Sequence, residues 1–430
     1  MKKILIIILI LSVIGGGYYL YTQNTNQTEG ATDSSTVSGF KKFLPFGQGK
    51  TNTQTTDTNT DTIVGQTNQT DTNIDTTVNK TRLRQINTFA VSGFTITNDD
   101  RKLPETTTIQ ITDPNNKTIE APKPTVESVL ALRYVRRSDG HMYEEFLDTH
   151  ATGTVSNATI PGIYEAFFGN FGKSVIYRYL GSDNKNIQSF IGTLGTTAGK
   201  FLPENITDLS ISPKGDSYFY LAPTGNDVSG MVANFNENKK TQLFTSPFTE
   251  WISDWTNNGI IFLTTKASFA TIGYVYATNT KNGGLTKVFG GLTGLTTKTN
   301  NSGDKILYSK STNNGPILGI YKTEDHSFAD FPIKTLAEKC VWTKDDLLIY
   351  CAVPNEIEGT TYPDSWYRGE VSFNDSIYQV NPNTHGVIKL FDTTEENPTD
   401  ATHLQYEDNT NTLFFINKKD STLWSLDLNN

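Results

Sequence analysis

Hydrophobic residues fall along this chain in three regimes. Ile4 to Ile14 is apolar apart from Ser12, and three glycines and Tyr18-Tyr-Leu-Tyr21 follow. From Thr22 to about Arg84, Thr, Asn, Gln, Asp and Gly dominate. Beyond that, short apolar runs alternate with turn residues as far as the C-terminus. The clearest runs are Arg133–Val135, Val175–Tyr177, Tyr218–Tyr220, Ile261–Leu263, Ile306–Tyr308, Leu348–Tyr350 and Phe414–Ile416. Their middle residues are spaced by 42, 43, 43, 45, 42 and 66 positions. A second apolar segment and a polar turn follow several of them, as in Met231–Phe235, Gly273–Ala277, Leu318–Lys322 and Ser376–Val380. An outer segment such as Thr241–Phe244 or Val387–Phe391 then closes the unit.

Apolar residues in short runs or at period two, bounded by turn residues, are strand signals. No long stretch of helical period occurs after residue 21. Seven units at a spacing of ~40–50 residues predict an all-β, seven-bladed β-propeller of four-stranded antiparallel blades over residues 85–430. The last unit ends in Leu423–Leu428, a third strand with no fourth behind it. An N-terminal strand completing that blade removes an open sheet edge. Phe89–Ile96 is the candidate, either as that closing strand or as the inner strand of blade one.

The first 21 residues predict a single N-terminal transmembrane helix acting as a signal anchor. A helix from Ile4 to Tyr21 rises ~27 Å, about one hydrocarbon core. Lys2 and Lys3 place the start in the cytoplasm, and the tyrosines suit the outer interface. A cleaved signal peptide is the rival reading, but no Ala-x-Ala site follows. No cysteine lies nearby, which excludes a lipoprotein anchor. Either reading sends the remainder outside the cytoplasm. Residues 22–84 predict a disordered linker, too polar to bury a core. As a flexible coil it spans ~40–45 Å. Its basic-aromatic island Phe40–Phe46 is left unassigned. Asp57, Asn59 and Asp61 echo a calcium loop, without the glycine and glutamate that one requires.

Charge and chemistry narrow the picture further. A net charge of −9 argues against nucleic acid, which requires clustered cations. Cys340 and Cys351 are the only cysteines. Folding the intervening hairpin about Asp345 and Asp346 sets them opposite each other, ~4.5–5.5 Å apart, within disulfide range. Such a bond persists outside the cytoplasm. No further ligands are in view for a metal site, and no cofactor motif is present.

The turn Ile211-Ser-Pro-Lys-Gly-Asp216 and the strand after it resemble the TolB-like and WD40-like propeller repeat. Trp255-Thr-Asn-Asn-Gly259 and Trp342-Thr-Lys-Asp-Asp346 look like degenerate copies. The resemblance covers most of the region after the linker and implies a fold, without an activity. The layout also resembles membrane-anchored propeller proteins of uncultivated bacteria that carry the cysteine pair and a Trp-Tyr loop. That likeness implies no function.

The one irregular interval carries about 23 extra residues, placed after Pro354 between the second and third strands of blade six. Loops on a rigid scaffold concentrate binding residues. Tyr362, Trp366, Tyr367 and Arg368 are hot-spot residue types, and Glu356, Glu358 and Asp364 add carboxylates suited to a cation, a sugar hydroxyl or a basic partner. The competing expectation is a loop folded back on the propeller, with Trp366 packed down and Arg368 paired to Asp364. No catalytic motif is present. The sialidase-type aspartate box and the Gly-x-Ser-x-Gly elbow are both missing. The five histidines, His141, His150, His326, His385 and His403, are scattered. Glu144 and Glu145 are strand neighbours that point to opposite faces. The sequence therefore predicts a membrane-anchored extracytoplasmic binding or scaffold module for a cell-envelope protein or polymer. A glycan-active hydrolase or lyase with a dispersed axial site is the alternative.

Overall fold

The structure, a computed structural model, describes residues 82–102, 126–196, 199–236, 239–393 and 397–429. The expected anchor and nearly all of the expected linker lie outside them. Among the described residues no helix is long and apolar enough to cross a membrane.

Seven four-stranded antiparallel sheets follow one another along the chain, forming a seven-bladed propeller. Every apolar run picked out by spacing lies in the second strand of its blade, with Leu348 alone just ahead of it. The reason is burial on both faces. Each blade is sandwiched between two others, so its second strand is apolar in a continuous run instead of alternating. Blade six makes this explicit. Ile349, Cys351 and Val353 pack against Leu307, Leu318 and Ile320 of blade five. Tyr350 and Ala352 point the other way, onto Leu413, Phe415 and Leu426 of blade seven. The core is thus divided among the clefts between blades.

The first strands line the axis and neighbour one another in a ring. They are Val91–Lys102, Ile163–Gly169, Leu209–Ile211, Trp251–Trp255, Thr296–Thr299, Cys340–Trp342 and Ala401–Glu407. The turns leaving them are closed by their own side chains. In blade three the Ser212 hydroxyl donates to Asp216 (2.9 Å) and Gly215 takes φ +71°. In blade six the Thr343 hydroxyl donates to Asp345 (2.6 Å) and Asp346 takes φ 59°. Short polar residues suit these positions because they satisfy the turn backbone locally.

Closure uses a strand shorter than either candidate reading of Phe89–Ile96 required. Leu83–Gln85 pairs antiparallel with Leu423–Asp427, Leu83 opposite Leu426, as the outermost strand of blade seven. It straddles the linker boundary placed at residue 84. Val91–Lys102 is the inner strand of blade one, which resolves the two roles left open for Phe89–Ile96. The hairpin of blade six sets Cys340 directly opposite Cys351, and a disulfide joins them across a Cα separation of 4.1 Å.

Candidate functional site

Antiparallel strands place the links between second and third strands on one face of the propeller, together with the connections between blades. The long loop of blade six, residues 355–374, lies on this face between strands Ile349–Pro354 and Asp375–Val380. Its one regular element is a single helical turn, Asp364–Tyr367. The loop crosses several blades. Asp364 accepts from the Ser268 hydroxyl (3.0 Å) and the Phe269 amide (2.6 Å) of blade four. The Tyr362 carbonyl accepts from the Ser311 hydroxyl of blade five. Lys418 of blade seven donates to the Trp366 carbonyl (2.8 Å).

Beneath the loop lies an ionic centre that the sequence reading missed. Lys339 has no exposed surface, and its ammonium contacts Asp400 (2.6 Å), Asp375 (2.9 Å) and the Ala401 carbonyl (2.9 Å). Both carboxylates are equally buried. Asp400 also accepts from the Trp366 indole (2.9 Å), the Phe373 amide (3.0 Å) and the Ser372 hydroxyl (3.2 Å), all in the loop. The Lys339 ammonium sits over the rings of Trp366 and Phe373, 5.0 and 5.2 Å from their centroids. Burial pushes the Asp375 carboxyl up to about 6 against the pull of Lys339. Burial acts on Asp400 as well, but Lys339 and the loop donors outweigh it and hold its carboxyl below the ordinary range. The difference follows from donors. Asp375 Oδ2 takes the Ala401 amide (2.7 Å), while its Oδ1 has no hydrogen-bond partner among the described residues. The three residues lie far apart in sequence, Lys339 and Asp400 just before a strand and Asp375 at the start of one, and no spacing rule links them.

The candidate loop residues separate into two sets. Tyr362 and Trp366 are buried with Leu336 and Phe373 in a small cluster of their own. Glu356, Glu358 and Arg368 are exposed and Asp364 is half-buried. Tyr367 is 39% exposed while its hydroxyl donates to Glu338 (2.6 Å), and burial together with that carboxylate pushes the hydroxyl up. Arg368 pairs mainly with Glu370 (2.6 Å) and stands 3.8 Å from Asp364. Glu356, Glu358, Tyr362 and Glu370 line a cavity of about 670 Å³ together with Lys389 and Asp392 from the outer strand of the blade. Its rim therefore carries four carboxylates and one ammonium.

A second group faces the axis. Glu165 of blade two pairs with Arg178 (2.5 Å), whose other nitrogen donates to the Ile206 carbonyl. Asp208 accepts from the amide and hydroxyl of Ser253, and burial pushes its carboxyl up to about 6. Asp254 holds Lys298 at 3.2 Å. His403 remains open to solvent on one side, yet enclosure by protein pushes its imidazole down, with Glu165 opposing. It sits at a β-bulge, φ 52°, where the inner strand of blade seven slips register between Thr402 and Gln405. Bulges re-aim side chains in this way. On the opposite face Glu144 shares Arg133 with Asp99 across the sheet of blade one. Among the described residues no three His, Cys, Asp or Glu side chains lie together so as to hold a metal ion.

No protein-family model matches the sequence, and no curated protein matches it. Among solved structures the chain is similar to TolB from Acinetobacter baumannii, with 12% identity over 59% of this chain and 60% of that one, TM-score 0.39. It is similar to oligogalacturonate lyase from Vibrio parahaemolyticus, with 8% identity over 70% and 86% of the two chains, TM-score 0.47. It is also similar to the β-propeller domain of the Trilobed protease from Pyrococcus furiosus, with 13% identity over 70% and 94%, TM-score 0.46. The chain spans only about three-fifths of that TolB chain. At such identities these likenesses concern the fold alone.

Proposed function

We propose that this chain is a binding or scaffold propeller, held outside the cytoplasm by its N-terminal anchor and linker, that presents the blade-six loop to a cell-envelope protein or polymer. One observation carries the reading. The longest loop described is fixed from beneath, through Lys339, Asp375 and Asp400, while Glu356, Glu358 and Glu370 stand exposed around an open cavity. A pre-ordered rim loses little entropy on binding. Its charge selects a partner bearing lysine, arginine or amino-sugar groups, and rim charges govern association rate and salt dependence. The disulfide agrees with an oxidising location. Trp366 and Tyr362 act in this reading as the support of the rim, and Tyr367 and Arg368 as its exposed part.

The test is Glu356→Lys/Glu358→Lys, compared with wild type on an array of cationic, neutral and anionic peptides and glycans. Salt-sensitive binding to cationic probes, lost in the variant, is the expected result. Equal binding by both proteins, or no cationic preference in wild type, would sink the reading. The alternative, a glycan-active enzyme with an axial site, is favoured by Asp208, whose carboxyl burial pushes up to about 6, and by His403, whose imidazole burial pushes down, both near Glu165. It expects turnover of a glycan by wild type that Asp208→Asn abolishes, while the loop variant leaves it intact.

A further inference from the structure

The buried ionic centre itself holds one cation against two carboxylates. Lys339 brings one positive charge and Asp375 and Asp400 bring two negative ones, in a site with no exposed surface. Asp400 is well provided for, with the ammonium and three loop donors. Asp375 shares the same ammonium, but its Oδ1 receives no donor from the described residues. Asp375 has no exposed surface, and Trp366 and Phe373 cover the ammonium from the loop side. An ionised Asp375 is therefore hydrated only when the loop moves away.

We propose that Asp375 is a proton-operated latch for the blade-six loop: protonated, it leaves Lys339 to Asp400 and the loop is clamped; ionised, it favours opening. The device stands whether or not the rim binds a cationic partner.

Other charged groups near the centre do not cancel the effect. Lys418, from the connection in blade seven, contacts the Trp366 ring (4.9 Å) and its carbonyl, and its charge acts on Asp400, the carboxylate that already has its donors. Glu338, next to Lys339, is engaged by the Tyr367 hydroxyl. Arg368 is occupied by Glu370 at the surface.

The sign follows from linkage. With the loop closed the Asp375 carboxyl titrates at about 6, against an ordinary 3.8. The closed form therefore holds a proton that an open, hydrated form has already released between those values. Opening becomes easier by up to tenfold per pH unit through this window and levels off above it. Acidification tightens the loop.

Two protons report directly, the Phe373 amide and the Trp366 indole N–H, since both donate to Asp400. Their hydrogen-exchange protection, corrected for intrinsic rates, is measured in the full chain at pH 4.5 and pH 7. Wild type is expected to lose about tenfold or more in protection at pH 7. Asp375→Asn, which stays neutral, is expected to keep equal protection at both. Equal protection at both pH values in wild type, or the same loss in the variant, overturns the latch. Should the variant not fold, carboxyl-carbon NMR of wild type decides. An Asp375 titration near 6 supports the proposal, and an ordinary value near 4 overturns it.

Discussion

Removing the ammonium of Lys339 perturbs the loop and the cleft between blades six and seven together. Lys339→Met keeps the length of the stem and the contact with Trp366 and Phe373, but deletes the charge that Asp375 and Asp400 share. Two buried carboxylates are then left without a cation. Breaking a buried pair by removing one partner costs about 3–5 kcal/mol, because the surviving charge stays desolvated. A domain of this size has an unfolding entropy of roughly 0.7 kcal/mol/K, so the melting temperature is expected to fall by about 4–7 °C. Thermal denaturation followed by circular dichroism at pH 7 measures it. A second substitution makes the experiment diagnostic. Asp375→Asn in the Lys339→Met background removes one of the orphaned charges and is expected to recover at least about 1 kcal/mol. A melting temperature within a degree of wild type for Lys339→Met, or no recovery in the double variant, would refute the coupling of these three groups.

Further outcomes follow from the same packing. Reduction of the Cys340–Cys351 bond, which closes an 11-residue separation, is expected to cost about 3 kcal/mol by loop-closure entropy, read as a lower melting temperature in dithiothreitol than in oxidised protein. Leu83→Ala empties a buried position in the closing strand and should cost about 2–4 kcal/mol; denaturant titration checks it, and a loss below half a kcal/mol would mean that the strand does not hold the ring. Asp208 titrates at about 6 in the folded chain, above its ordinary value. Its contribution to stability is present at low pH and is lost as pH rises from about 4 to about 6. Asp208→Asn should therefore flatten part of the decline in melting temperature over that range, and an unchanged profile would count against burial as the cause.

Much of the fold was legible because its signals are local. Val175–Tyr177 and Ile306–Tyr308 announce second strands without any knowledge of the blades beside them, since burial on both faces leaves only apolar side chains acceptable. The opposition of Cys340 and Cys351 is hairpin arithmetic about Asp345 and Asp346. The loop of blade six was found by interval alone. The closing strand escaped, because three residues, Leu83–Gln85, carry no period, whereas Phe89–Ile96 carries an obvious one. His403 looked like a scattered histidine, because a bulge in an inner strand has no signature in one sequence.

The sequence by itself determined how many blades there are, where their central strands run, and which loop is irregular. Each of these depends on side-chain pattern over a few residues and on the constant length of a blade. Only the tertiary structure decided that Trp366 faces inward instead of outward, and that Lys339, Asp375 and Asp400 meet beneath it. Those three charges come from two separate connections and the start of a strand. Their meeting depends on how blade six packs against blade seven, and in a dry cleft the energy of a charge is set by whichever groups that packing brings near.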